Sequence, residues 1–354
     1  MKNISQIYNS LGLSGIIFLI TLVLVVGGIG DALLERFVFP RLQFFDNKAP
    51  IIINRREEVQ INDGLNNAEI INRVKNSAAT VYLGSGEFGT RGFRAVSVFS
   101  GAIVASDGII AVSSANLKSS IPITVILADG RDFPAAVMAT DSLTGLAFLK
   151  IAAEGLPVLN QGSSSDLRAG EKVLSVWAEE SPLEPLAEPL TVMTAPGLAS
   201  SFTTLYKTDR IDSFLSTTGS ARQPGAVVVN RDSALVGFVT GIGKDTVILR
   251  AENFSLAVSK LLEDKKISWV DPKLTFLALS EVQTKILGFS KRAGVQIRGD
   301  AGVLQDGDFI YGLDDFELTS PSQFQDRLLS KRPGDTLKLK LIRAGQEMEV
   351  EIKL

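Results

Sequence analysis

The chain has 354 residues, of which 45% are hydrophobic, and its 36 basic and 39 acidic side chains give a formal net charge of -3. This length and hydrophobic content suffice for two or three buried cores and exclude a disordered protein, while the acidic balance offers no basic surface for nucleic acid. The chain contains neither cysteine nor histidine, which excludes disulfides, thiolate catalysis, an imidazole base and the commonest zinc ligands. We therefore expect no metal and no cofactor.

A charge-free apolar run extends from Leu11 to Gly30. As a helix rising about 1.5 Å per residue it would span roughly 30 Å, the thickness of the hydrocarbon core of a bilayer. Gly28 and Gly30 have the spacing of a signal cleavage site, but the run exceeds the core of a cleaved signal. We predict a membrane anchor helix in residues 1–45. Because almost all of the chain follows it, we place the folded part on the extracytoplasmic (periplasmic) side of the inner or plasma membrane.

A polar stretch at residues 46–68 is typical of a linker. Beyond it, short apolar runs alternate with turn residues, and residues 69–75 fit a short helix. Two hairpins are the clearest elements, with strands at 100–105 and 109–112, and at 123–127 and 133–137. Repeated short strands predict a mostly β domain, a double barrel or a sandwich, over residues 69–268. A short helix near residues 254–262 would close it.

The pattern changes after Pro272. Ser320 and Pro321 have the types of an N-cap and a first-turn proline, and Phe324 and Leu328 follow on one helix face. Two strands with strict apolar and polar alternation end the chain. We predict a separate small α+β domain over residues 269–354.

Three runs carry a resemblance to a known family. They extend from Val125 to Ala135, from Thr140 to Lys150 and from Leu167 to Leu174. In this order and spacing the chain resembles the HtrA/Deg serine proteases, with the DegS-like layout of a membrane anchor, a trypsin-like domain and one PDZ domain. The resemblance implies a chymotrypsin-type double β-barrel, an N-terminal transmembrane helix and a homotrimer assembled through the protease-like domain.

The same resemblance implies where the catalytic triad would stand. The histidine position falls at Ala115, the aspartate position at Gly145 and the serine position at Pro224. Without these groups no base, orienting carboxylate or nucleophile is available. Proline also lacks an N–H, so an oxyanion-hole donor worth about 3–4 kcal/mol elsewhere would be missing. We interpret the chain as a pseudoprotease: a peptide- or protein-binding scaffold or regulator in extracytoplasmic protein quality control.

Two other functions stay open. A displaced nucleophile at Ser220, with a lysine such as Lys118 as its base, would make the chain an active serine endopeptidase. A chaperone-like holdase for unfolded proteins would need no catalytic residue.

In the PDZ part, the resemblance implies a carboxylate-binding loop followed by the strand beside which a peptide would add. The helix after Pro321 would form the other wall of the groove. The predicted peptide-binding residues are Leu287, Gly288, Phe289, Ser290, Phe324 and Leu328. Ordinary core packing is the alternative for the apolar members of this set. The predicted partners are polypeptide C-termini or unfolded proteins.

Overall fold

In a computed structural model of the protein, the described residues are 12–33, 67–84, 97–117, 121–178, 184–193, 202–218, 223–242 and 245–354. The chain divides into two compact units, Met1–Ile61 and Asn62–Leu354. The first unit contains helix α1, Leu13–Leu33, whose side chains include Phe18 and Leu24 at 69% and 70% exposure. Among the described residues, no helix combines the length and the hydropathy needed to cross a membrane. The membrane anchor therefore stays a prediction.

The second unit begins with helix α2, Asn67–Val74, as expected near this position. Its buried residues Ile70 and Val74 are one helical turn apart, so one face packs on the domain. The next six strands close a barrel in the order β1-β2-β3-β6-β5-β4. They are β1 (Ala78–Leu83), β2 (Ser97–Ala105), β3 (Ile109–Ser113), β4 (Ile123–Leu127), β5 (Asp132–Asp141) and β6 (Leu146–Ile151).

Both predicted hairpins are confirmed in this barrel, as β2 with β3 and β4 with β5. Gly108 and Gly130 sit in their turns with φ of 93° and 83°, a conformation that glycine adopts without steric cost. All five residues of β3 are buried. Ile110 faces the barrel interior and Ala111 faces a second core, because the strand is covered on both sides. The run is therefore continuously apolar and does not alternate.

A six-stranded sheet follows in the order β10-β8-β7-β11-β12-β13. Its strands are β7 (Lys172–Trp177), β8 (Leu186–Val192), β10 (Thr217–Thr218), β11 (Val227–Val229), β12 (Leu235–Ile242) and β13 (Asp245–Arg250). Helix α3, Ala251–Asp264, closes the domain, with Phe254 stacked on Phe238 at 5.0 Å between ring centroids. The predicted mostly β architecture is confirmed. Of the two predicted barrels, the first is closed, and among the described residues the second is an open six-stranded sheet.

The remaining sheet has the order β19-β18-β16-β15-β14-β9. Its strands are β9 (Leu205–Lys207), β14 (Thr275–Leu279), β15 (Gly294–Ile297), β16 (Phe309–Leu313), β17 (Phe316–Glu317, paired to β16), β18 (Thr336–Arg343) and β19 (Gln346–Lys353). Helices α4 (Glu281–Ile286) and α5 (Ser322–Leu329) accompany it. The predicted α5 and the two closing strands are confirmed. Strand β9 comes from the preceding domain, and the boundary at residues 268 and 269 stays a prediction.

A buried carboxylate holds a turn of the C-terminal domain. Asp308 is 1% exposed, and its Oδ1 and Oδ2 accept hydrogen bonds from Nε and Nη2 of Arg343 at 2.8 and 2.7 Å. Its Oδ2 also accepts from the Gln305 amide at 2.9 Å. Burial opposes ionisation, but the hydrogen bonds from Arg343 and Gln305 prevail and hold the pKa of Asp308 below its ordinary value.

We expect Asp308→Asn to lower the free energy of unfolding at pH 7 by about 2 kcal/mol, because charge-assisted hydrogen bonds to a buried group are lost. The Asp308 carboxylate has a lower pKa in the folded state than in the unfolded state, where the pKa is about 4, so it stabilises the folded protein at neutral pH. This stabilisation is lost as the pH falls through the folded-state pKa. Denaturant titrations from acid to neutral pH should therefore show a shallower pH dependence in the variant.

The exposed Asp232 gives the control. Asp232→Asn should change the free energy of unfolding at pH 7 by less than about 0.5 kcal/mol. If the two variants had the same free energy of unfolding and the same dependence of that free energy on pH, the stabilising role of Asp308 in this turn would be contradicted.

Candidate functional site

The structure brings the three predicted triad positions together where the first barrel meets the second sheet. Ala115 lies in the 3₁₀ turn Ser114–Asn116 after β3, Gly145 in the turn before β6, and Pro224 just before β11. The Ser114 amide donates to the Gly145 carbonyl at 2.9 Å. The Asn116 side chain donates from Nδ2 to the Pro224 carbonyl at 3.0 Å. Hydrogen bonds to the carbonyls of Gly145 and Pro224 thus connect the three positions.

Gly241 of β12 completes this junction. A Cβ placed on it would lie 3.1 Å from Cβ of Ala115 and 3.6 Å from Cγ of Pro224. The Ser113 hydroxyl accepts from the amides of Ala115 and Gly241, both at 3.3 Å. The three predicted positions therefore present a methyl group, a pyrrolidine ring and a bare backbone, none of which can attack a carbonyl or take up a proton.

The turn that contains Gly145 is stabilised by the buried carboxylate of Asp141. Its Oδ2 accepts from the Thr144 hydroxyl at 2.6 Å, and its Oδ1 accepts from the Leu143 amide at 3.1 Å and the Trp269 indole at 3.0 Å. The carboxylate nearest in sequence to Gly145 is thus fully engaged as a turn cap. Sequence reasoning missed this role, although an aspartate at the start of a turn is a known local signal.

Gly225 beside Pro224 is constrained by its surroundings. Its φ is 101°, and its amide donates to the Val239 carbonyl at 2.8 Å. A Cβ at this position would overlap the carbonyl oxygen of Ser100. Pro224 has no N–H to donate. Ser220 and Lys118, the residues of the alternative dyad, lie outside the described residues.

The predicted peptide-binding residues lie on two faces of the C-terminal sheet. Phe289 stacks on Phe309 at 4.2 Å between ring centroids, on the face that also buries Leu277. Phe324 and Leu328, at 0% and 1% exposure, belong to the core on the opposite face. Side chains alternate between the two faces of a strand, so the two groups are separated by the sheet itself.

The loop Leu287 to Ser290 is at the surface of the molecule. Leu287 is 45% exposed and Gly288 has a φ of 79°. The strand that follows, β15, is paired with β14 on one side and β16 on the other. A peptide cannot add beside β15, and that part of the prediction is wrong. The six predicted residues do not line one groove in this structure.

Helix α5 also packs on β14. Phe276 of β14 contacts Phe324 of α5 edge to face, with 5.2 Å between ring centroids. The groove of this domain is therefore bounded by β14 and α5. Sequence reasoning missed β14, because its five residues form one short apolar run without a distinguishing pattern.

Comparison with known proteins agrees with this architecture. Residues 99–238 match the trypsin-like peptidase domain family, and residues 298–354 match the PDZ domain family. The HtrA-type protease AlgW, solved with a tripeptide, has 19% sequence identity and a TM-score of 0.60, over 82% of this chain and 96% of that chain. The described fold is thus a trypsin-like peptidase domain followed by a PDZ domain.

Several proteins of similar sequence are serine proteases by name. The chain is 26% identical over 281 residues to a probable periplasmic serine endoprotease DegP-like of Rickettsia prowazekii, over 74% of this chain and 53% of the relative. It is 28% identical over 270 residues to the serine protease Do-like HtrA of Bacillus subtilis, over 67% and 58%. It is 24% identical over 268 residues to the serine endoprotease DegS of Haemophilus influenzae, over 72% and 75%.

In sequence and in domain order the chain is similar to serine proteases of the HtrA/DegS type. It spans 53% and 58% of the lengths of the DegP-like and HtrA relatives.

Gly225 offers a test of the packing at the junction. We expect Gly225→Ala to destabilise the protein by about 3 kcal/mol or more, because the strain of positive φ is added to a clash with the Ser100 backbone. Gly130→Ala is the matched control, since its φ is 83° and no atom lies within 4 Å of the added carbon. It should cost only about 1–2 kcal/mol. Equal losses of unfolding free energy in the two variants would contradict the close approach to Ser100.

Proposed function

We propose that the protein is a membrane-anchored HtrA-like pseudoprotease, which acts as a peptide- or protein-binding scaffold or regulator in extracytoplasmic protein quality control. One observation carries the proposal: the chain has no histidine, so it lacks the imidazole base of the family's triad wherever the triad is placed. The residues at Ala115, Gly145 and Pro224 support it further, because none of them supplies a replacement group. Proline at the serine position also removes one oxyanion-hole donor.

Location is supported by the relatives and by the N-terminus. The DegP-like relatives are periplasmic endoproteases by name, which favours an extracytoplasmic site for this chain. The charge-free run from Leu11 to Gly30 and the exposed aliphatic side chains of α1 favour an anchor in the membrane. The family resemblance favours a homotrimer.

Binding is assigned to the PDZ domain. PDZ domains accept an extended peptide as an additional strand at a sheet edge, and the main-chain hydrogen bonds give affinity without any reaction. The related AlgW was solved with a tripeptide and with a decapeptide. A domain that binds peptides can function beside a trypsin-like domain that has lost its chemistry.

A fluorophosphonate probe tests the loss of catalysis. We expect the purified full chain to remain unlabelled under conditions in which trypsin is labelled completely, because no hydroxyl is activated by a base. Hydrolysis of an unfolded substrate such as casein should not exceed that of buffer. Ser220→Ala is the companion variant: labelling of the natural chain that disappears in Ser220→Ala would establish an active peptidase and refute the pseudoprotease.

A further inference from the structure

Strand β9 belongs to the trypsin-like domain by its position in the sequence and to the PDZ sheet by its pairing. It runs antiparallel to β14, with Tyr206 opposite Phe276 and Lys207 opposite Thr275. The other side of β14 is occupied by β15. Strand β9 therefore fills the sheet edge at which a PDZ domain accepts a peptide strand. We call residues 205–212 the inserted segment.

The side chains of the inserted segment alternate as those of a bound strand do. Tyr206 and Thr208 are 7% and 3% exposed, whereas Lys207 between them is exposed. The Tyr206 ring lies 5.9 Å from that of Phe276 and shares one core with Phe324 of α5. Burial, and then the negative charge of Asp212, raise the pKa of Tyr206, so the phenol stays neutral in the groove.

Hydrogen bonds hold the inserted segment to both walls of the groove. On the β14 side, the Thr208 amide donates to the Leu274 carbonyl at 3.1 Å, and the Leu274 amide donates to the Thr208 hydroxyl at 2.9 Å. On the α5 side, Gln325 donates from Nε2 to the Arg210 carbonyl at 2.7 Å and accepts from the Asp212 amide at 3.4 Å. The segment is bound through its main chain, as a peptide ligand would be.

A buried arginine fixes the helix that forms one of these walls. Nη1 of Arg250 donates to both carboxylate oxygens of Asp326 on α5 at 3.0 Å, and to the hydroxyl of Ser213 at 2.8 Å. Ser213 directly follows the inserted segment. One guanidinium group thus ties the groove helix to the chain that occupies the groove.

We propose that the inserted segment is an internal ligand of the PDZ groove, and that an outside peptide with an aromatic side chain at the position of Tyr206 binds by displacing it. This inference rests on the proposed peptide-binding function of the PDZ domain. A tethered ligand acts at an effective concentration of about millimolar, so an outside peptide must compete with it. Displacement releases residues 205–212 from the groove, including the strand Leu205–Lys207 from the sheet.

The test uses the full chain and a fluorescein-labelled synthetic peptide with the sequence of residues 204–212, followed by fluorescence anisotropy. Two variants weaken the inserted segment without altering the groove: Tyr206→Ser removes its anchoring ring, and Thr208→Pro removes its donor to Leu274. Phe202→Ser is the control, since Phe202 is 47% exposed and precedes the paired residues. Thermal unfolding by circular dichroism establishes that each variant is folded.

We expect the peptide to bind both weakened variants at least about 10-fold more tightly than the natural chain or Phe202→Ser, because a larger fraction of grooves is open. A peptide with serine in place of its tyrosine should lose this binding. Equal affinity for all four proteins would overturn the internal ligand and leave the peptide-binding function standing. Absence of binding to every folded protein would overturn both proposals.

A second experiment does not depend on weakening the fold. The chain has no cysteine, so Lys207→Cys combined with Thr275→Cys places two thiols on a directly opposite pair and nowhere else. Oxidation to the disulfide would lock the inserted segment in the groove. We expect peptide binding to fall at least about 10-fold on oxidation and to return on reduction with dithiothreitol. Unchanged peptide affinity in the fully oxidised protein would refute displacement.

Discussion

The buried guanidinium of Arg250 is the constraint on which the arrangement of the two domains depends. Its side chain is 2% exposed, and an unpaired charge at such a position costs several kcal/mol. Its partners are two carboxylates and three serine hydroxyls: Asp326, Glu252, Ser164, Ser165 and Ser213. Because these partners come from the loop after the first barrel, helix α3, the chain after β9 and the PDZ helix α5, the charge is satisfied only when all four meet.

In this cluster, the effect of burial on the pKa of each carboxyl group opposes the effect of the neighbouring positive charge. Burial raises the pKa of Asp326 even though Arg250 acts to lower it. For Glu252 burial acts in the same direction, but Arg250 and the Ser164 hydroxyl prevail and lower its pKa. Removing one partner of such a group typically costs about 3–5 kcal/mol, since the remaining charge stays buried. The cluster therefore holds α5 and the inserted segment together.

The junction of the first barrel and the second sheet is held by structural hydrogen bonds. The Ser114 amide connects the turn of Ala115 to Gly145, the Asn116 side chain connects it to Pro224, and Asp141 caps the turn that contains Gly145. None of these contacts requires a catalytic side chain, so the trypsin-like fold persists with the residues present. The function we propose therefore depends on the surface of this domain, which includes the strand that it contributes to the PDZ sheet.

Local sequence patterns predicted the turns and helices that are determined by residues close together in the chain. The turns at Gly108 and Gly130 and the helix after Pro321 follow from residue types within a few positions. Strand β9 has three residues, Leu205–Lys207, and its partner β14 begins at Thr275, so no local pattern specifies their pairing. The same limit explains the peptide-binding set: two of its members lie on α5, and the loop Leu287 to Ser290 lies across the sheet.

The triad positions Ala115, Gly145 and Pro224 were predicted from runs that resemble the family, and the structure places these three residues near one another. The sequence resemblance did not predict which strands that are distant in the chain pair with each other. This pairing decides which edge of the PDZ sheet is occupied.

Hydrogen–deuterium exchange of residues 205–212 in the full chain tests this account most directly. We predict slow exchange of the Thr208 amide in the free protein, and fast exchange at a saturating concentration of a peptide that enters the groove, while the strands of the first barrel stay protected. An inserted segment that exchanges rapidly without peptide, or one whose protection is unchanged at saturation, would contradict the internal occupation of the groove.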